Sequence, residues 1–458
     1  MINTNESDTA PSSAAGQQPD PARLRRQFAN QALTQLVTTA VLVAIAFGAG
    51  WFGNSYVNRD RYVSNPNELI IHQAWNDINN NFVVTSNLNQ KQMAYAAVNG
   101  MISTLNDPGH TVFLTPEQYS SETATLNGQA QIGLGVELSG GDGKTPLTVL
   151  VVFPDSSANR AGLRPGDEFY AINGVDVTHQ TSDQVRQMIA QQGTKTFSLT
   201  MYRPSTKKTF TVNIARGPYT VPNIATFYIP QQNIADIQLF QFSSLSSVDL
   251  QKAITDAINN HHVKGIIFDL RDNPGGLLQE SVNAVSEFVP NNAANPDKVL
   301  VVKSRTSTTT YTTGNALEQT QSGSSIPIDV GVAAHTPVAI LVNNNTASAA
   351  EITAGSIHIN RPDVHVIGQT TYGTGTVLQT YIFGDGSALV LGTEEWFYPN
   401  GTNAYHKGYT PDQPVTLPST VQPLTPLVAT EDNLTYAQVQ QSGDAQLLKA
   451  ISDLNSGQ

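Results

Sequence analysis

The chain of 458 residues contains no cysteine. That absence excludes disulfide staples, thiolate nucleophiles and cysteine-ligated zinc or iron–sulfur centres. Charge is scarce at 13% of residues, and positive charge scarcer still: 24 Lys and Arg stand against 36 Asp and Glu, for a net charge of -12. No basic stripe offsets that balance, which argues against a nucleic-acid partner. No cluster of residues has metal-ligand spacing, and no cofactor is expected. Gly373 and Gly375 are not followed by a helix and a later acidic residue, so they do not form a dinucleotide fingerprint. Internal repeats are also missing. What the chain does have is length for roughly three domains and enough apolar residues, 39%, for a large core. Its many Ser, Thr, Asn and Gln residues fit an extracytoplasmic surface.

The N-terminus carries an address. Residues 1–35 read as a polar, disordered cytoplasmic tail, with Arg23, Arg25 and Arg26 near its end. An uncharged apolar run follows from Leu36 to Gly53, about the minimum length for a bilayer-spanning helix. With the arginines ahead of it, the N-terminus should face the cytoplasm and the rest of the chain the outside, at the cell membrane. A cleaved signal peptide is the rival reading; its apolar region is usually shorter, ~7–15 residues.

Beyond a polar linker, residues 67–127 read as a small helical subdomain. Leu69, Ile70, Ala74, Trp75 and Ile78 recur at helical spacing, as do Met93, Ala97, Met101 and Leu105, with Asn79–Asn81 marking the break. Residues 128–217 turn β-rich around one short helix near Asp183–Gln191 and should form a compact, partly open barrel. From 218 to 417 strands alternate with helices. Lys264–Leu270, Pro337–Asn343 and Val364–Gly368 are near-continuous apolar strands of a sheet buried on both faces. Ser304–Thr313 reads as an exposed β-ribbon. Residues 418–458 read as a C-terminal tail with one helix near Thr435–Leu454. The fold class expected is a multidomain α+β and α/β chain with an N-terminal transmembrane helix.

Three segments carry chemistry. In the first, Ala161-Gly162-Leu163-Arg164-Pro165-Gly166-Asp167 precedes Ile172-Asn173-Gly174, with Ile132-Gly133-Leu134-Gly135-Val136 upstream. The second is Asp269-Leu270-Arg271-Asp272-Asn273-Pro274-Gly275-Gly276, where a turn puts backbone N–H groups at a helix N-terminus, a nest able to hold an oxyanion. The third is Thr346-Ala347-Ser348-Ala349-Ala350-Glu351-Ile352 on a strand-to-helix turn. Plain readings of the same residues are glycine turns and a helix N-cap serine.

Together, and in this order, these segments resemble the carboxy-terminal processing peptidases, which are serine peptidases with a PDZ domain. The likeness runs from about residue 67 to 417. It takes in Asp107-Pro108-Gly109-His110-Thr111 and the closing segments around Tyr398-Pro399-Asn400-Gly401 and Gly408-Tyr409-Thr410-Pro411-Asp412. The resemblance implies a PDZ domain at 128–217 and a mixed α/β, ClpP/crotonase-like peptidase core at 218–417. It implies Ser348 at the nucleophile position, with oxyanion donors from Gly275 or Gly276 and from Ala349. It implies Leu134, Gly135 and Val136 at the peptide-binding loop, where a peptide adds as a strand and its terminal carboxylate meets backbone N–H groups. The implied partners are unfolded or C-terminally exposed polypeptides. Oligomeric state is left open.

One element departs from the family pattern. The family's base is a lysine in a G-K-G-T-V-Q segment, oriented by the glutamine. Here Gly373, Gly375, Thr376 and Val377 keep the frame, but Thr374 stands at the lysine position and Leu378 at the glutamine position. Gln379 comes one residue late and should point to the other face of its strand. A threonine hydroxyl is no general base near neutral pH, and a serine needs one. The expectation is a family member that binds protein C-termini with proteolysis lost or much reduced. Two alternatives stay open: an active endopeptidase using Ser348 with an unconventional base, and a PDZ scaffold or adaptor. Among the histidines, His358 should point elsewhere, His261 and His262 read as surface residues, and His110 sits in a turn that cannot be placed from sequence.

Overall fold

A computed structural model describes residues 65–457, apart from positions 108–109, 142, 291, 293, 320–324, 328–329 and 419–420. The expected membrane-spanning segment 36–53 lies outside the described residues. Among those described, no helix is long and apolar enough to cross a membrane. The chain divides into two compact units, 1–92 and 93–458, so the helical stretch 67–127 falls on both sides of the division. The described part of the first unit holds the helix Pro66–Asn81. Asn65 caps it by accepting from Asn67 N–H, and Pro66 occupies the first turn, where a missing N–H costs nothing. The helix Gln90–Ser103 begins before the division and ends after it.

Two sheets dominate the second unit. The first is antiparallel, with strands in the order 136–139, 148–152, 168–172, 197–203 and 208–214. Its core alternates along each strand: Val149, Phe169, Leu199 and Met201 are fully buried beneath Val185 and Ile189 of the helix Ser182–Gln191. Thr181 and Gln184 form a reciprocal capping box at the start of that helix.

The second sheet runs 224–229, 234–239, 265–269, 338–342, 365–368 and 413–414, with every pairing after the first parallel. Both of its faces are covered, which is why its strands are continuously apolar. Ala235, Ile237, Ile266, Phe268, Ile340 and Val342 face a core closed by the helices Ser246–Asn259, Leu278–Phe288 and Ala349–Asn360. Ile234, Ile267, Ala339 and Leu341 face the opposite way, onto Val439, Leu447, Ala450 and Ile451.

That second covering layer corrects the sequence reading of the C-terminus. A single helix near Thr435–Leu454 is expected; three are present, Pro426–Glu431, Tyr436–Gln441 and Ala445–Ser456. Gly443, at φ +78°, breaks the run, and Asp444 caps the last helix by accepting from Gln446 and Leu447 N–H. Asp444 also receives Arg271 Nη1 at 2.7 Å, while Asp269 takes Nε and Nη2 of the same guanidinium. All three side chains are buried. Removing one member of such a group strands a charge and typically costs ~3–5 kcal/mol, so Arg271 locks the C-terminal layer to the sheet.

A smaller antiparallel sheet borders the site. Its long strand Ala388–Phe397 pairs on one edge with Val112–Leu114 and Lys298–Lys303, and on the other with Thr376–Ile382. The Thr-rich ribbon forms a hairpin between Lys298–Lys303 and Thr308–Thr312, with Thr308, Thr309 and Thr310 exposed.

Candidate active site

Ser348 sits between the buried strand Val338–Val342 and the helix Ala349–Asn360. The turn leading to it is tied down by Thr346, whose hydroxyl donates to Leu270 C=O (2.8 Å) and accepts from Asn343 N–H (2.9 Å). Ser348 itself has φ 54° and ψ -120°. Such a backbone costs a non-glycine residue about 1–3 kcal/mol and persists only where its surroundings impose it. One imposing contact is visible: Ser348 N–H donates to Glu351 Oε2 at 2.9 Å.

The facing turn can approach only because it is glycine. A Cβ at Gly275 (φ 97°) would lie 2.6 Å from Ser348 Cβ and 2.8 Å from Ala347 C=O. A Cβ at Gly276 (φ 138°) would lie 2.3 Å from Phe242 C=O. Asn273 is fully buried; it donates to Leu239 C=O (2.7 Å) and accepts Gly275 N–H on its side-chain oxygen (2.8 Å). Of the two expected oxyanion donors in this turn, Gly275 is therefore already engaged. The N–H groups of Gly276 and Ala349 have no hydrogen bond among the described residues.

The segment at the lysine position is built around Glu351. This buried carboxylate accepts from Thr374 O–H (2.7 Å), Thr374 N–H (2.9 Å) and Gly373 N–H (2.8 Å), as well as from the Thr371 hydroxyl and Ser348 N–H. Burial raises its pKa above the usual carboxylate value, and these donors offset only part of that rise. Thr374 thus serves as a cap for the carboxylate. Leu378 is 43% exposed and lines the cavity in front of Ser348; Gln379 does not line it.

That cavity, about 970 Å³, runs from the edge strand of the first sheet (Glu137, Leu138, Ser139) past Asp272 and Gly276 to Ser348, Thr374 and Leu378. Glu137 titrates at about 8, raised by burial and then by the charge of Asp272. Asp272 accepts amide N–H groups from both Asn343 and Asn345.

Residues 233–415 match the profile of Peptidase family S41, and residues 123–201 that of the PDZ domain. A probable CtpA-like serine protease of Staphylococcus haemolyticus is 29% identical over 350 residues, covering 76% of this chain and 64% of that protein. The carboxy-terminal processing protease CtpB of Bacillus subtilis is 27% identical over 350 residues, covering 74% and 66%. The chain thus spans just under two thirds of the length of these two relatives. The chain belongs to the carboxy-terminal processing peptidase family. Two solved structures share its fold. A photosystem II D1 C-terminal processing protease has a TM-score of 0.50 at 20% identity, covering 77% of this chain and 95% of that one. A putative S41 protease from Bacteroides fragilis has a TM-score of 0.51 at 16% identity, covering 84% and 96%.

In this carboxy-terminal processing peptidase family member, the loop expected to hold a peptide terminus leads into a free sheet edge. Leu134 is buried and Val136 opens the edge strand, which among the described residues pairs on one side only. Gly135, at φ 76°, has no room for a side chain: a Cβ there would lie 2.1 Å from Ser156 Cβ. The strand's one described partner is 148–152. Among the expected non-sites, His358 faces Val364 C=O and His261 stacks on Tyr228. The residue that sequence reasoning left unplaced is His110. It is 4% exposed and lines the Ser348 cavity. The available signal was an aspartate three positions before a histidine in a turn.

Proposed function

We propose that this chain is a membrane-anchored, extracytoplasmic family member that captures polypeptide C-termini on its PDZ domain and lays the adjoining unfolded stretch along Ser348. The observation that carries this reading is the single cavity joining the free edge strand 136–139 to Ser348. Proteolysis by the lysine route is lost or much reduced, since Thr374 caps Glu351. A second reading, an endopeptidase with another base, is favoured by the strained Ser348 backbone, which a purely structural turn has no need to maintain. A fluorescent peptide with a free carboxylate should bind the full chain at least ~10-fold more tightly than its amidated copy, and Gly135→Val should erase the difference. Equal binding of both peptides by the unmodified chain would remove terminal capture. The anchor rests on Arg23, Arg25, Arg26 and the apolar run 36–53. The full chain should stay with membranes through alkaline carbonate extraction, and release in soluble form would refute the anchor.

A further inference from the structure

We propose that His110 is the base that serves Ser348, with Asp107 holding it in position; this rests on the endopeptidase reading above. The cavity wall carries Ser348, Thr374 and His110 but no lysine or arginine, and of the described histidines only His110 lines it. The imidazole is buried, and neither ring nitrogen has an aligned hydrogen-bond partner among the described residues. A buried polar nitrogen left without a partner typically costs ~1–3 kcal/mol, which is reason to look for the group it is meant to meet. Its Nδ1 lies 2.9 Å from Asp107 Oδ1, so the buried Nε2 is the ring nitrogen not turned toward Asp107.

Asp107 is itself fixed from two sides. The Thr111 hydroxyl donates to Oδ2 (2.7 Å) and the Tyr405 hydroxyl to Oδ1 (3.1 Å). Thr111 Oγ1 in turn accepts Gly392 N–H at 3.1 Å, tying the turn to the long strand beside the site. The imidazole is flanked by the rings of Tyr372 (5.8 Å), Tyr405 (5.9 Å) and His406 (6.3 Å). Tyr372 N–H bonds Thr346 C=O at 2.9 Å, so the wall around the histidine and the turn that carries Ser348 form one structure. A nucleophile, a base and a third group orienting the base make up the arrangement that activates a serine.

In the step this implies, Ser348 Oγ bonds to the scissile carbonyl carbon while its proton passes to His110 Nε2. The carbonyl electron pair moves to oxygen, facing the N–H groups of Gly276 and Ala349. On collapse the C–N bond breaks and the leaving amine takes the proton back from Nε2. Water then repeats the sequence at the acyl-serine, releasing the carboxylic acid and restoring Ser348.

The test uses the full chain, an unfolded fluorogenic polypeptide and a fluorophosphonate that labels activated serine. His110→Ala should lower Ser348-dependent cleavage by about 10²–10⁴-fold, the range for loss of a general base, and added imidazole should restore part of it. Ser348→Ala should be inactive with or without imidazole. His110→Gln, with an unchanged melting temperature, guards against misfolding and should be equally impaired. Asp107→Asn should lower kcat with KM unchanged. Wild-type rates in both His110 variants, with Ser348→Ala inactive, would overturn the assignment of the base and leave the peptidase reading standing. Loss of activity in His110→Ala without imidazole rescue would also count against it. Absence of Ser348-dependent cleavage and labelling in the unmodified chain would overturn both.

Discussion

The two sides of the Ser348 site are held by different means. On the side of the turns 273–276 and 347–349, function and packing depend on the same atoms. Gly275 fits against Ser348 only because it lacks a Cβ, and Ser348 is held at a positive φ. On the side of residues 371–379 the backbone frame is held without help from any lysine. Gly373 and Gly375 are pressed against Gly408 and Tyr405, and the Glu351 carboxylate gathers the N–H groups of Gly373 and Thr374. The side chain at 374 is therefore free to differ while the loop keeps its path. A preserved frame is evidence for a preserved fold, and it says nothing by itself about the base.

Two experiments sharpen that contrast. The larger effect is expected on the packed side. Gly275→Val places side-chain atoms where Ser348 Cβ and Ala347 C=O already lie, and at a φ that a β-branched residue rarely adopts. Ser348 labelling by a fluorophosphonate should fall below detection, and the chain should lose several °C in melting temperature. A variant that labels normally would mean that this turn is looser than its contacts indicate. The smaller effect is expected on the other side. Thr374→Lys with Leu378→Gln should be tolerated, with the melting temperature within a few °C, because Glu351 keeps its backbone N–H donors from Gly373 and Thr374 and loses only the Thr374 hydroxyl. In a His110→Ala background the pair should raise cleavage of an unfolded polypeptide by about tenfold or more, since a buried lysine with a lowered pKa is an alternative base. That gain should vanish on Ser348→Ala. No gain would show that this half of the site differs by more than its base.

Much of this architecture was legible from local signals. Continuous apolar runs of strand length marked the sheet covered on both faces, and each was bounded by turn residues. The glycines of the PDZ signature also told the truth locally: Gly135, Gly162, Gly166 and Gly174 all take positive φ. The expected break between the first two helices falls near Asn81, where Pro66–Asn81 ends. Other features had no local signature. The C-terminal segment shows helical texture, yet its role as the second cover of the sheet depends on Arg271 meeting Asp444, 173 positions away. The capture of Gly275 N–H by Asn273 depends on Asn273 being turned inward toward Leu239. His110 looked like one histidine among nine.

By itself the sequence determined the family, the order of its parts, the serine at 348 and the threonine where a lysine is expected, because each is written in contiguous residues at short spacing. The tertiary structure alone decided what surrounds them. It gave Thr374 to Glu351, left the N–H groups of Gly276 and Ala349 without partners among the described residues, and placed His110 on the wall of the Ser348 cavity, beside an aspartate held by Tyr405 from 298 positions along the chain. Periodicity reports which face of an element is buried. It carries no information about which distant element will cover that face, and the chemistry at Ser348 is set by those distant contacts.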